Sequence, residues 1–119
     1  MIRLTFTGDI LIEPEQKEAI CSHSDGFDTI FRNILSSFSL SNYIIGNLET
    51  PLAGEELVYS SHKWSFNTPD CLAESLKKAG FNLLTTANNH CLDRGKIGLL
   101  NTLKTLDRYG LEHIGTYAQ

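Results

Sequence analysis

Three short polar groups, each directly after an apolar run, carry most of the chemistry this sequence offers. They are Gly8-Asp9, then Asn47-Leu48-Glu49, then Asn88-Asn89-His90 with Asp93 close behind. Two carboxylates, amide oxygens and an imidazole form a hard, oxygen-rich donor set with one nitrogen. Such a set suits Mg²⁺, Mn²⁺, Fe or, in a mixed site, Zn²⁺ better than a thiolate zinc site. A carboxylate can bridge two cations about 3.5–4 Å apart, the spacing of two-metal hydrolases. A histidine beside such a site but not bound to metal can protonate a leaving group or stabilise developing negative charge.

Taken singly, each group has a plainer explanation. Gly-Asp is a common turn after a strand. Glu49 before Thr50-Pro51 is a loop acid, and consecutive asparagines tolerate left-handed backbone. What raises the chemical reading is the set of elements that must position them. Residues 2–7 (IRLTFT), 42–46 (NYIIG), 81–87 (FNLLTTA) and 111–115 (LEHIG) read as strands. Between them, residues 26–40 space Phe27, Ile30, Phe31, Ile34, Leu35 and Phe38 along one helical face. Pro69 opens a second helix with Thr68 as N-cap, Leu72, Leu76 and Ala79 as its buried stripe, and Gly80 as its stop. Residues 96–109 repeat the formula with Ile97, Leu100, Leu103 and Leu106. Strands alternating with such helices predict βαβ units and a layered α/β fold with a mainly parallel sheet. In parallel sheets the carboxyl ends of the strands share one rim, where ligands bind. Asp9, Glu49, an asparagine and His90, roughly forty residues apart in sequence, would converge there.

Composition is that of one globular domain: 119 residues, 41% apolar, 20% charged, net charge −4. No basic stripe is available to neutralise phosphates, so the charge balance argues weakly against nucleic acid, and none is expected as partner. Cys21, Cys71 and Cys91 show no CxxC spacing and read as free thiols in a reducing compartment. Cys91, beside His90, lacks the arrangement of a cysteine nucleophile. No segment has the length of a membrane span, and the first residues do not resemble a signal peptide. The expectation is a soluble cytoplasmic chain, and one cut from a membrane-anchored or extracytoplasmic parent would read the same way. Residues 50–67 form a long loop in which Trp64 and Phe66 read as core or loop anchors and His62 as a solvated side chain. His113 reads as structural. No glycine-rich phosphate loop follows the first strand, which argues against a flavodoxin-like nucleotide binder.

The motifs TGD at 7–9, NLETPL at 47–52, F-x-x-P at 66–69 and ANNH-x-x-D-x-G at 87–95, in that order, resemble the bacterial CapA family of capsule or poly-γ-glutamate synthesis proteins. The resemblance implies one half of a fold similar to calcineurin-like metallophosphatases and a site for two divalent cations. It implies Asp9, Glu49 and Asn89 as metal ligands, Glu49 bridging, and His90 as the catalytic acid with Asp93 fixing its tautomer. Asn47 and Asn88 fall in place as substrate contacts, Asn88 alternatively as a brace for the turn. The implied activity is hydrolysis of a phosphoester or amide-type bond in a polymer or phosphoester substrate. Members of that family are more than twice as long, with further histidines in their later half. The chain therefore reads as the N-terminal portion of a longer protein. The competing expectation is a non-catalytic fragment or an accessory module of polymer synthesis. A halved sheet would also expose an edge and an apolar face, predicting self-association.

Overall fold

The structure is a computed structural model that describes residues 1–54 and 64–118. His62 and Lys63, read above as loop residues, lie outside the described part. The chain runs β1 (Leu4–Ile10), α1 (Pro14–Cys21), α2 (Asp28–Phe31), a 3₁₀ turn (Arg32–Ile34), α3 (Leu35–Phe38), β2 (Tyr43–Leu48), α4 (Leu72–Ala79), β3 (Leu83–Thr85), α5 (Gly95–Arg108) and β4 (Glu112–Ile114). The four strands form one sheet in the order β1-β2-β3-β4, and every neighbouring pair is parallel. The expected α/β fold with a parallel sheet is what the chain adopts.

Sequential parallel strands joined by crossovers of one hand bring their helices to the same face. That face is the core side. Ile10, Ile44, Leu48 and Leu84 point into it, packed with Phe31, Phe38, Leu72, Leu76, Phe81 and Leu106. Phe31 and Phe38 meet the Phe81 ring edge-on, with centroids 5.8 and 5.3 Å away. Ile10 and Phe81 have room to pack because β2 carries Gly46 at its centre. A Cβ there would lie 2.8 Å from Ile10 Cδ1 and from Phe81 Cε1, and 2.9 Å from Thr7 Oγ1.

Among the described residues nothing covers the opposite face. Leu4, Phe6 and Ile114 share it, by register, with Tyr43, Ile45 and Leu83, and they are 53%, 69% and 58% exposed. Parallel sheets are ordinarily covered on both faces, so this apolar surface is an uncovered layer boundary. Among the described residues no helix is long and apolar enough to cross a membrane.

Several local expectations needed correction. β1 does not stop before Gly8-Asp9 but runs through both to Ile10. The single helix expected over residues 26–40 is broken into two four-residue turns around a 3₁₀ segment. Only Phe27, Phe31 and Phe38 of its apolar set are buried, while Ile30, Ile34 and Leu35 stay partly exposed. Thr68 caps nothing. It is buried with its hydroxyl 2.8 Å from that of Thr50, and the helix begins later, after Cys71. The buried face of α5 is Gly98, Thr102, Thr105 and Leu106, with Leu103, whereas Ile97 is exposed. Small side chains there admit the segment Thr50–Ala53, whose Leu52 amide donates to Thr102 Oγ1 at 2.9 Å. Trp64 is exposed rather than buried. Helix α1 escaped the periodicity reading because Ile20 is its one buried residue. Its signal was instead Pro14 at the first position and Gln16 receiving the Glu13 amide at 3.0 Å.

The close packing at Gly46 makes a direct prediction. Gly46→Ala should destabilise the domain by about 1–3 kcal/mol through overpacking, read as a lowered denaturation midpoint. Gly8→Ala, where a Cβ meets nothing within 4 Å, should change it by less than about 0.5 kcal/mol. Equal effects at both positions would contradict this packing.

Candidate functional site

The site is built by a defect in strand pairing. Phe6 pairs with Ile45, but the next registered pair is Asp9 with Asn47, so β1 spends one extra residue at Thr7-Gly8 opposite Gly46. An inserted residue inverts the alternation of side chains beyond it. Without the bulge Asp9 would pair with Leu48 and point into the core. With it, Ile10 takes the core position and Asp9 joins Asn47 and Thr85 on the open face, at the carboxyl ends of β1, β2 and β3.

Asn47 is the hub. Its amide nitrogen donates to Asp9 Oδ1 at 2.8 Å and to Glu49 Oε2 at 3.2 Å. Its amide oxygen accepts from Thr85 Oγ1 at 3.0 Å and from Asn88 Nδ2 at 3.2 Å. Two donors and two lone pairs are thus all engaged, which fixes the amide's orientation. Asn88 further donates to the Leu48 carbonyl at 2.9 Å and accepts from the His90 amide at 3.1 Å. It braces the turn that follows β3. Asn89, by contrast, is exposed, and its side chain makes no hydrogen bond among the described residues.

His90 and Asp93 form a separate, half-buried unit, Nδ1 to Oδ2 at 2.9 Å. The same Asp93 oxygen accepts the Phe66 backbone amide at 2.7 Å, and the Phe66 ring meets the imidazole edge-on at 4.8 Å. Held at Nδ1, the imidazole has Nε2 left for chemistry. Phe66, read from the sequence as a core or loop anchor, is buried as expected, but its part in the site was not anticipated, and Thr85 was not singled out. Thr85 was findable, since it occupies the same side of its strand as Asn47 does. Phe66 contributes through its main chain, which no residue type announces.

The two rim carboxylates are electrostatically unequal. Hydrogen bonds from Asn47 first, and with Glu49 second, hold Asp9 below the usual carboxylate range, although it is exposed. Burial first, then the hydrogen bond with Asp9 and its charge, push Glu49 up, while His90 acts in the opposite direction. The two carboxyls are therefore pushed apart, Asp9 toward its charged form and Glu49 toward its neutral one. Asp9's lowered value favours the fold above its ordinary pKa, an effect lost as pH falls through the folded value. Glu49's raised value favours the fold below its ordinary pKa, an effect lost as pH rises through the folded value.

As a donor set for cations, Asp9 and Glu49 supply hard oxygens of the kind Mg²⁺ and Mn²⁺ accept. They form one edge of such a site, not an enclosure. Among the described residues no three His, Cys, Asp or Glu side chains group closely enough to hold a metal ion. An open groove of about 470 Å³, lined mainly by Ile10, Ile12, Ile20 and Ile34, runs from Asp9 along α1. Cys21, Cys71 and Cys91 are free thiols, and His113 pairs with Asp107 at 3.1 Å, away from the rim.

A four-stranded parallel α/β domain with polar groups gathered at its strand carboxyl ends is the class this geometry defines. Residues 3–119 match the family described as bacterial capsule synthesis protein PGA_cap, and the chain belongs to that family. It is 28% identical over 117 residues to the capsule biosynthesis protein CapA of Bacillus anthracis, covering 96% of this chain and 28% of that protein. The PGA biosynthesis protein CapA of Bacillus subtilis (strain 168) is likewise 28% identical over 116 residues, covering 97% of this chain and 30% of the relative. The chain thus spans less than a third of the length of both relatives.

The opposite shifts of the two carboxyls are open to measurement. In a carboxyl-carbon NMR titration Glu49 should titrate above its ordinary value and Asp9 below. Asp9→Asn should bring Glu49 back part of the way, leaving the share caused by burial. A Glu49 titration that ignores the substitution would show that the two groups are not coupled.

Proposed function

We propose that this domain carries one side of the active site of a divalent-metal-dependent hydrolase acting in capsule or poly-γ-glutamate biosynthesis. The carrying observation is the Asp9–Asn47–Glu49 cluster beside the His90–Asp93 pair, at one end of one sheet. In this reading Asp9, Glu49 and Asn89 are metal ligands, and a bound pair of cations would activate water and polarise a phosphoester or amide-type bond. Asn47 orients the two carboxylates, and Asn88 secures the loop that carries His90. Asp93 and Phe66 hold the imidazole so that a proton on Nε2 is aimed at the leaving group. Asn47 and Asn88 would reach substrate only by exchanging an existing hydrogen bond.

The test is hydrolysis of a chromogenic phosphodiester with Mn²⁺ by the whole protein that carries this domain. His90→Ala and Asp9→Ala should each lower kcat/KM by about 10²–10⁴-fold. Unchanged activity in both variants would remove the assignment. A second reading, a non-catalytic accessory piece of polymer synthesis, is favoured by the open donor set. Calorimetric titration of residues 1–119 with Mn²⁺ separates the two: silence from the piece together with an inactive whole protein supports the accessory role.

The bare sheet face supports self-association of the 119-residue chain, because open edges and large apolar patches seek partners. Phe6→Lys should shift the chain to a monomer in light scattering without lowering its denaturation midpoint. A monomeric unsubstituted chain at high concentration would contradict this.

A further inference from the structure

We propose that Cys21 and Cys71 form a reversible disulfide that ties the end of α1 to the start of α4. The functional site uses neither thiol, and both are exposed. Far apart in sequence, they are brought together by contacts on either side of them. One helical turn before Cys21, Lys17 lines a small cavity together with Asn67, four residues before Cys71. Beyond Cys21, Asp28 accepts a hydrogen bond from the hydroxyl of Ser75, one turn after Cys71, and lies 3.5 Å from Lys78 Nζ. The stretches 17–28 and 67–75 therefore run side by side, joined both before and after the two cysteines. Ile20 and Leu72, their immediate neighbours, are buried in the same core cluster. The chain between α1 and α2 stays compact, since the His23 amide donates to the Ile20 carbonyl and the Gly26 amide to the His23 carbonyl, each at 3.0 Å.

Electrostatics agrees with this placement. Burial first, and the charge of Cys21 second, push the Cys71 thiol up. The effect of Cys21 exceeds those of Asp70, which adjoins Cys71, and Glu74, which lies in the first turn of α4. A distant residue that outweighs such neighbours is itself close in space. The reaction is thiol–disulfide exchange, with a low-molecular-weight disulfide as oxidant. Cys21, as thiolate, attacks one sulfur of the oxidant, and a small thiolate leaves. That step removes the Cys21 charge and so eases deprotonation of Cys71. The Cys71 thiolate then attacks the Cys21 sulfur, and the second small thiolate departs. The two protein thiols lose two electrons and two protons, and the oxidant is reduced to two thiols. Helix α1 follows the strand that carries Asp9, and α4 follows the segment that carries Phe66. The bond thus joins the chain behind both parts of the site.

The experiment equilibrates the 119-residue chain with oxidised glutathione at low protein concentration, blocks the remaining thiols with a maleimide and reads the tryptic peptides by mass. Peptides 18–32 and 64–77, which contain Cys21 and Cys71, should be recovered joined, with the Cys91 peptide separate. Oxidation should raise the denaturation midpoint of Cys91→Ser, because a cross-link restricts the unfolded chain. Cys21→Ser should show no such rise and should carry Cys71 as a mixed disulfide with glutathione. Recovery of Cys21 and Cys71 unmodified, only as separate glutathione adducts, or only in cross-links between chains would overturn the pairing. An equal rise of the midpoint in Cys21→Ser would overturn it as well.

Discussion

The bulge at Thr7-Gly8 is the constraint on which the rest of the site depends. A strand alternates its side chains between two faces, so a single inserted residue decides whether Asp9 is a core defect or a rim carboxylate. The same insertion turns Ile10 inward, where it is buried against the central strand. One irregularity therefore satisfies two opposite demands, apolar filling below the sheet and a carboxylate above it. Gly46 makes this geometry affordable in space, since any side chain opposite the extra residue would collide with Ile10, Phe81 and Thr7.

Once Asp9 is on the open face, Asn47 determines what it can do. An amide with all four hydrogen-bonding positions used cannot rotate without breaking several bonds together, so the carboxylates are held before any ligand arrives. Burial, and the charge of the neighbouring Asp9, raise the pKa of Glu49, while Asn47 lowers that of Asp9. That asymmetry couples the rim to pH. His90 is held by its own partners, Asp93 and Phe66. It is tied to the carboxylates through the turn braced by Asn88 and through its charge, which acts on Glu49.

The parallel α/β plan was legible because the helices after β2 and β3 carry an apolar stripe and a glycine stop, as at Leu72–Gly80. The convergence of the polar groups was legible for the same reason, since parallel strands must end on one side. The bulge was not, because TFTGD reads equally well as a strand ending in a turn. Nor was the break in residues 26–40, where the apolar spacing is helical but tertiary packing selects three phenylalanines and lets the isoleucines go. The role of Phe66 was invisible because it rests on a backbone amide. Membership of the capsule synthesis family was readable from the order of the motifs. The chemistry those motifs perform is a property of side chains at distances no motif encodes.

The bare face and the open donor set are two aspects of one surface. Asp9, Asn47 and Thr85 stand on the same side of the sheet as Leu4, Phe6, Ile45 and Ile114. Any layer that covers the apolar part must bring its own residues up to the rim, so burial of Phe6 and a change in the surroundings of Asp9 go together. That coupling has an energetic logic. Burying apolar area supplies a driving force at roughly 25 cal/mol per Å², and it falls on a surface whose polar end would otherwise resist dehydration.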